Sequence, residues 1–240
     1  MARRLFFVDA VTRGHAELRG DDARHLTRVL RVEPGQQYEI SDNQARYLAE
    51  VETAHKGEVS FRVIEQLPPE PQRVRIKLLA SLVKFDRFEW MLEKATELGV
   101  AAIVPVEAER TEKGLMQAAA KRIDRWRKIV IESSQQSRRG TMPSVEDPIR
   151  FSDATRATAD HRFLLDERAG APTILKVIPE VRGATDQVAM LLGPEGGWSE
   201  REHAAAFTAG WTPVSVGPHI LRDETAAAAA VALVMSGWES

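Results

Sequence analysis

The stretch Ala189-Met190-Leu191-Leu192-Gly193-Pro194-Glu195-Gly196-Gly197-Trp198-Ser199 decides how this chain reads, and Val214-Ser215-Val216-Gly217-Pro218-His219-Ile220-Leu221-Arg222-Asp223-Glu224-Thr225-Ala226 answers it. Each is a short apolar run halted by glycine and proline, the pattern of a buried strand that opens into a tight loop. Gly193, Gly196 and Gly197 let backbone approach a ligand closely and adopt positive φ. Glu195, Arg222 and Glu224 set charge beside that bare backbone, so two such loops facing each other make a ligand pocket with chemistry in it. The competing structural reading makes Gly193-Pro194 only a turn, Glu195 a solvated acid and Trp198 a core or lid aromatic. Clustering favours function for the first two.

Outward from these loops, composition sets bounds. The chain has 240 residues, 43% of them hydrophobic, enough to bury a full core in one large or two modest domains. No apolar run approaches the roughly 18 residues that cross a bilayer, and Met1-Ala2-Arg3-Arg4 leads into strand-like residues rather than a signal peptide's apolar core, so the cytoplasm is the expected location. The absence of cysteine removes disulfides, thiolate metal sites and thiol nucleophiles. The six histidines are scattered without metal-ligand spacing, and no metal is expected. The net charge of −2 divides unevenly: −2 over residues 1–72, +5 over 73–150 and −5 over 151–240. A basic middle in a chain that is not basic overall points to a polyanion such as nucleic acid, against the ordinary alternative of a solvated surface.

The first 70 residues read as all-β. Short strands fall at Leu5-Phe6-Phe7-Val8, Gln37 to Ile40, Arg46 to Val51 and Val59 to Ile64, with Pro34-Gly35 and Lys56-Gly57 as turns. A small barrel is the natural closure. Asp21 to Leu30 predicts a short helix capped by Asp21, on which Arg24, Arg28 and Arg31 share a face by their helical spacing, and His25 reads as structural. Leu67-Pro68-Pro69-Glu70-Pro71 then breaks any regular element and marks a boundary, giving domains at 1–70 and 73–240.

Beyond the prolines, strands alternate with helices. Val74 to Ala80 is a buried strand, Phe85, Phe88, Leu92 and Ala95 line a helix that Gly99 ends, and Ala102 to Val106 is the next strand. A second helix is predicted from about Ala118 to Gln136, with Lys121, Arg122, Arg125 and Lys128 outermost and Arg138-Arg139 following as phosphate contacts. His161 to Glu167 is a strand and loop, Ser199-Glu200-Arg201-Glu202 a capping box, and the alanine-rich run Thr225 to Met235 a thin helix that packs close to strands. This alternation implies an α/β domain with a mostly parallel sheet. Trp90, Trp126, Trp211 and Trp238 read as packing residues. Arg110, just after a strand, reads equally as an RNA or active-site contact and as a surface ion-pair partner. Neither a P-loop lysine nor a dinucleotide fingerprint is present, which removes the common nucleotide folds.

The segments Leu192 to Ser199 and Ile220 to Ala226 resemble the two signature loops of the knotted (SPOUT-type) RNA methyltransferases. The chain as a whole resembles the ribosomal RNA small subunit methyltransferase E family, which methylates N3 of a uridine. Supporting matches are His25-Leu26-Thr27-Arg28-Val29-Leu30-Arg31, Glu93 to Val100, Arg125-Trp126 and Gln136-Ser137-Arg138-Arg139. The resemblance implies a PUA-like β-barrel followed by an α/β trefoil-knot methyltransferase domain, a homodimer and S-adenosylmethionine as cofactor. It places the cofactor against Leu192, Gly193, Gly196, Gly197, Val216, Gly217, Ile220 and Leu221, with Ala226 beneath. Arg222, Glu195 and Glu224 are the expected catalytic residues, and Arg24, Arg28, Arg31, Arg110, Arg138 and Arg139 the expected contacts to ribosomal RNA or the small subunit. Pro218-His219 departs from relatives that carry a basic residue before Ile-Leu-Arg. Two alternatives stand beside this reading: a knotted methyltransferase aimed at another atom, and a non-catalytic RNA-binding module, which has no use for the charged glycine loops. Methylation at a pyrimidine carbon commonly begins with a thiolate, which this chain lacks, so the acceptor is nitrogen or oxygen.

Overall fold

The computed structural model describes residues 4–168 and 170–239, so the Met1-Ala2-Arg3 part of the N-terminal reading lies outside the described residues. The chain divides into two compact units: residues 1–71 with 134–142, and residues 72–133 with 143–240.

In the first unit, strands β1 (Leu5–Phe7), β2 (Val11–Thr12), β3 (His15–Arg19), β4 (Gln37–Ser41), β5 (Arg46–His55) and β6 (Glu58–Gln66) form one sheet in the order β1-β4-β5-β6-β3-β2. Only the β1–β4 pair is parallel. Alternation turns Ala16 and Leu18 of β3 and Val59 and Phe61 of β6 into one core with Phe6, Ile40 and Val51. The sequence reading missed β2 and β3, because Arg13-Gly14 is a tight turn between runs too short and polar to stand out. The predicted capped helix is also corrected. Helix α1 (Gly20–His25) starts without a side-chain cap, and Asp21 lies inside it, paired with Arg24. Leu26–Leu30 is π-helical and Arg31 ends it in the left-handed region (φ 52°), so Arg24, Arg28 and Arg31 do not lie on one regular α-helical face. His25 is exposed rather than structural.

Residues 134–142 cluster with this unit: Ser41 Oγ donates to the Gly140 carbonyl at 2.6 Å, the Gly140 amide donates to Glu70 at 2.9 Å, and the Met142 amide donates to Asn43 at 2.6 Å.

The second unit holds a wholly parallel sheet built from β7 (Arg75–Ser81), β8 (Ala102–Glu107), β9 (Ser144–Val145), β10 (Ile149–Arg150), β11 (His161–Leu165), β12 (Gln187–Leu192) and β13 (Thr212–Val214). Its order is β10-β8-β7-β12-β11-β13, with β9 also on β8. Strand β12 therefore slots between β7 and β11, which precede it in the chain. Alternating side chains feed two cores. Ile76, Leu78, Ile103, Met190 and Leu192 pack with α2 (Phe85–Glu97), α4 (Ile123–Ser137) and α8 (Asp223–Glu239), while Leu79, Val104, Ala189 and Leu191 face Trp198 and Trp211 on the other side. Two faces covered by helices explain why these strands read as continuous apolar runs. Ala227 and Ala230 are fully buried, as a close-packed thin helix requires. The helix expected from Ala118 to Gln136 is two helices, α3 (Leu115–Ala120) and α4, because a turn at Lys121-Arg122 interrupts it. The remaining helices are α5 (Phe151–Ala154), α6 (Ile174–Val177) and α7 (Glu200–Thr208).

Candidate functional site

Parallel strands carry their C-terminal loops to one edge of a sheet, the usual place for a ligand. Here the loops after β11, β12 and β13 meet the first turn of α8 around a cleft of about 640 Å³. All nine residues expected to hold the cofactor line it: Leu192, Gly193, Gly196, Gly197, Val216, Gly217, Ile220, Leu221 and Ala226. Arg110 reaches the same cleft and donates to the Gly196 carbonyl, and exposed His219 borders it. Ile220, 79% exposed, is the outermost apolar residue of the rim.

The β12 loop is fixed by local chemistry. Apolar β12 stops at Gly193, where a Cβ would stand 3.2 Å from the Trp198 ring. Trp198 is buried, meets the Phe151 ring at 5.2 Å in a tilted contact and donates from Nε1 to the Leu165 carbonyl at 2.9 Å, which makes it a core residue that shapes the loop. The Gly197 amide closes a turn onto Pro194 at 2.7 Å, with Gly197 at φ 67°. Ser199 then caps α7 in the predicted capping box with Glu202. Glu202 also accepts from the Glu109 amide at 2.7 Å, and Ser199 Oγ donates to the Glu109 carboxylate at 2.7 Å, so the loop is pinned to the segment after β8. Glu109 is a positioning residue that sequence reasoning missed; a carboxylate ninety residues away in sequence gives no local signal.

The β11 and β13 loops are tied together by backbone: the Asp166 amide donates to Val214, the Ser215 amide to Pro172, and the Ile174 amide to Ser215, at 2.8, 2.8 and 2.9 Å. The nearly buried Asp166 carboxylate, also on the cleft, meets His203 Nε2 at 2.8 Å.

The charged trio expected to work together is arranged around the first turn of α8 rather than inside one pocket. Leu221, Asp223 and Ala226 face the cleft, whereas Arg222, Glu224 and Thr225 line a second pocket of about 480 Å³ with Asp86, Arg87 and Trp90 of α2. Glu195 is engaged by Arg87 in an ion pair. Arg222 is exposed and has no ion-pair partner among the described residues. Asp223, not singled out from sequence, is pushed up to about 7, first by burial and then by Glu195 and Glu224, with Arg87 opposing and Glu167 adding to the rise. Its Oδ2 and the Glu224 Oε2 are buried without hydrogen-bond partners among the described residues.

The expected RNA contacts differ in exposure and pairing. Arg24 is held by Asp21, while Arg28 and Arg31 are exposed. Arg138 is exposed at φ 58°, but Arg139 is half-buried, with burial pulling its guanidinium pKa down against the pull of Glu70. Of the proposed basic face, Lys121, Arg125 and Lys128 are exposed and Arg122 is half-buried. Arg122 and Arg125 donate to Glu89 at 3.1, 2.8 and 2.7 Å and hold its carboxyl below its usual range, Arg125 being the main cause. Trp126 and Trp211 pack as expected, but Trp90 is 43% exposed. Among the described residues, no group of three or more histidine or acidic side chains is placed to hold a metal ion, and no helix is long and apolar enough to cross a membrane.

The glycine-lined cleft at the ends of parallel strands belongs to an RNA methyltransferase of the α/β class: family models for an RNA methyltransferase domain and an RNA methyltransferase PUA domain match residues 70–235 and 18–64. Within that class the chain belongs to the ribosomal RNA small subunit methyltransferase E family. It is 30% identical to the Mycobacterium bovis member over 254 aligned residues, covering 100% of this chain and 95% of the relative, and 29% identical to the Aquifex aeolicus member over 220, covering 91% and 93%. The structure of a Neisseria gonorrhoeae family member bound to S-adenosyl methionine matches with a TM-score of 0.87 at 30% identity, covering 98% of both chains. A Legionella pneumophila protein solved with the bound cofactor SAM matches with a TM-score of 0.89 at 27% identity, again covering 98% of both. The family and the fold class implied by the two signature loops are thus the ones found.

Proposed function

We propose that this protein methylates N3 of a uridine in small-subunit ribosomal RNA with S-adenosylmethionine as donor. The observation that carries the reading is the cleft itself, in which all nine expected cofactor residues converge from three loops and one helix turn. The residues fit such a group. The volume lies within the ordinary range for a ligand pocket, Leu192, Val216 and Leu221 supply apolar walls, and Gly193, Gly196 and Gly197 supply backbone that a side chain would cover. When bound, the cofactor supplies an electrophilic methyl group.

The protein's own task is to favour the uridine anion, because N3 carries a proton that must leave before the nitrogen can attack. Arg222, permanently charged and without an ion-pair partner among the described residues, donates to a carbonyl oxygen beside N3, where negative charge gathers. Glu224 lines the same pocket, with an Oε2 buried without a partner among the described residues, and its carboxylate is the base that takes the proton, while Glu195 forms an ion pair with Arg87. Replacing Arg222 by alanine is expected to lower turnover at neutral pH about a hundredfold with cofactor affinity by calorimetry little changed, and the defect shrinks at high pH where uridine ionises unaided. Near-parental turnover, or a defect that is wholly lost cofactor binding, removes Arg222 from this role. Mass mapping of ribosomal RNA from cells with and without the gene tests the target: a methyl missing from one uridine supports the reading, and a methyl missing from another base replaces it.

Three further features belong to the same proposal. The insertion of β12 between β7 and β11, with three loops gathered at one edge, supports a trefoil-knotted path. Residues 1–70 act as the RNA-binding domain and 73–240 as the methyltransferase domain, with Arg28, Arg31, Arg110 and Arg138 among the RNA contacts. The family resemblance supports a homodimer working in the cytoplasm.

A further inference from the structure

The cleft is lined by more acid than base: Asp166, Glu167, Glu200 and Asp223 stand against Arg110 and Arg168. Most of these charges are committed to the protein itself. Arg110 donates to the Gly196 carbonyl, and Arg168 grips Glu200 with two hydrogen bonds at 3.0 and 3.3 Å. The Asp166 carboxylate accepts from the Arg168 amide at 3.1 Å and meets His203 Nε2 at 2.8 Å. Asp223 differs, because its Oδ2 is buried and has no hydrogen-bond partner among the described residues. A buried carboxyl oxygen left open on a cavity wall is costly unless a ligand answers it, and a cation answers a carboxylate best.

The group also stands at the reacting end of the cleft. Leu221, Asp223 and Ala226 are the α8-turn residues that face it, and of these Asp223 alone is charged. Its chain neighbours Arg222 and Glu224 are the residues proposed to handle the target base. Methyl transfer leaves the electron pair of the broken S–C bond on sulfur, so the donor is a sulfonium cation and the product a neutral thioether. A carboxylate at that end tells the two apart, whereas the adenosine and amino-acid portions are common to both. We infer that Asp223 makes the cleft prefer the charged methyl donor to its demethylated product, through attraction between its carboxylate and the sulfonium charge. The inference rests on the methyltransferase reading above and adds to it how donor and product are distinguished.

The surroundings of Asp223 give this preference a pH dependence. Burial is the main cause that raises its pKa to about 7; Glu195 on the β12 loop, Glu224 on α8 and Glu167 on the β11 loop add to the rise, and Arg87 on α2 opposes it. A bound cation favours the ionised form, so it expels the proton at pH 6, whereas at pH 8 the proton has already gone. Affinity for a cationic ligand therefore rises from pH 6 to pH 8 more than affinity for the thioether. Histidine also changes charge in this range, but His219 and His203 remain in an Asp223→Asn protein, so the pH dependence that this variant retains is theirs.

The test is calorimetry on the full-length protein with S-adenosylmethionine, S-adenosylhomocysteine and sinefungin, which carries a protonated amine where the donor has its sulfonium centre. At pH 8 the parent is expected to bind the two cations about tenfold more tightly than the thioether. Asp223→Asn, of the same shape without the charge, is expected to bring all three within about twofold of one another. At pH 6 the parent's preference narrows and S-adenosylmethionine binding releases a proton, read from the change of binding heat with buffer ionisation enthalpy; the variant loses most of both effects. A donor-to-product ratio equal in parent and variant overturns the inference. So does an equal loss of all three ligands in the variant, which makes Asp223 a residue of cleft shape. Failure of the parent to bind any of the three rejects the cleft itself, whereas tight binding with an unaltered ratio rejects Asp223 alone.

Discussion

The carboxyl group of Asp223 shows what position does to one residue. At the first turn of a helix an acid is ordinarily favoured in its charged form by the helix dipole. Here burial and the neighbouring Glu195 and Glu224 outweigh that and lift the group from 3.8 to about 7. The folded protein therefore keeps a proton that the unfolded chain has released between about pH 4 and pH 7, and stability falls as pH rises through that window, with the contribution constant on either side. Urea midpoints at pH 5 and pH 8 are expected to differ less for Asp223→Asn than for the parent; equal differences place the group at an ordinary pKa. Gly197 gives a second residue-scale test. At φ 67°, with Glu167 Oε1 3.0 Å from where a Cβ would stand, Gly197→Val strains the turn and narrows the cleft. S-adenosylmethionine binding by calorimetry is expected to be lost while circular dichroism keeps the folded signal, and unchanged affinity rejects the cleft as the cofactor site.

At the scale of elements, helix α7 does two tasks with one residue. The Ser199 side chain caps the helix and also donates to Glu109, so it fixes both where α7 starts and where the glycine loop ends. Ser199→Ala is expected to lower stability by about 1–2 kcal/mol in chemical denaturation, the usual cost of a lost cap. Because the loop is released from the β8 side at the same time, cofactor affinity is expected to fall several-fold as well. A stability loss with unaltered affinity reduces Ser199 to a cap. Helices α2 and α4 are joined in a similar way: Glu89 of α2, largely buried, pairs with Arg122 in the turn before α4 and with Arg125 on α4.

For the whole molecule, the question is how much of the basic middle remains available to RNA. Arg138 is exposed, whereas Arg139 is half-buried beside Glu70. Arg138→Ala is expected to flatten the slope of log affinity against log salt by about 0.7 on single-stranded RNA, the effect of one phosphate contact, with cofactor affinity intact. A slope identical to the parent's assigns Arg138 to solvated surface. Arg139→Ala, by contrast, is expected to lower the denaturation midpoint as well, since it removes a half-buried side chain.

What the sequence determined by itself was whatever is written in neighbouring residues. Apolar runs ended by Gly193-Pro194 and by Gly217-Pro218 place the strands β12 and β13 and their loops, the Ser199 to Glu202 spacing places a capping box, and the two signature loops carry enough specific residues to give the family and nine of the residues that line the cleft. Periodicity failed at the turn that splits α3 from α4, at the π-helical Leu26–Leu30, at the two-residue β2, and at β3, whose alternation rests on Ala16 and Leu18 alone among polar residues. The tertiary structure alone decided the rest, because a side chain's partner is set by packing and not by spacing. The order that puts β12 between β7 and β11, the pairing of Arg87 with Glu195 across 108 residues, the capture of Arg122 and Arg125 by Glu89, and the division of one helix turn between two pockets each depend on which surfaces the folded core brings within hydrogen-bond reach. Charge in a sequence names what can interact, and burial and neighbours then decide which groups are paired, which have their pKa raised to about 7 like Asp223, and which have no ion-pair partner among the described residues, like Arg222.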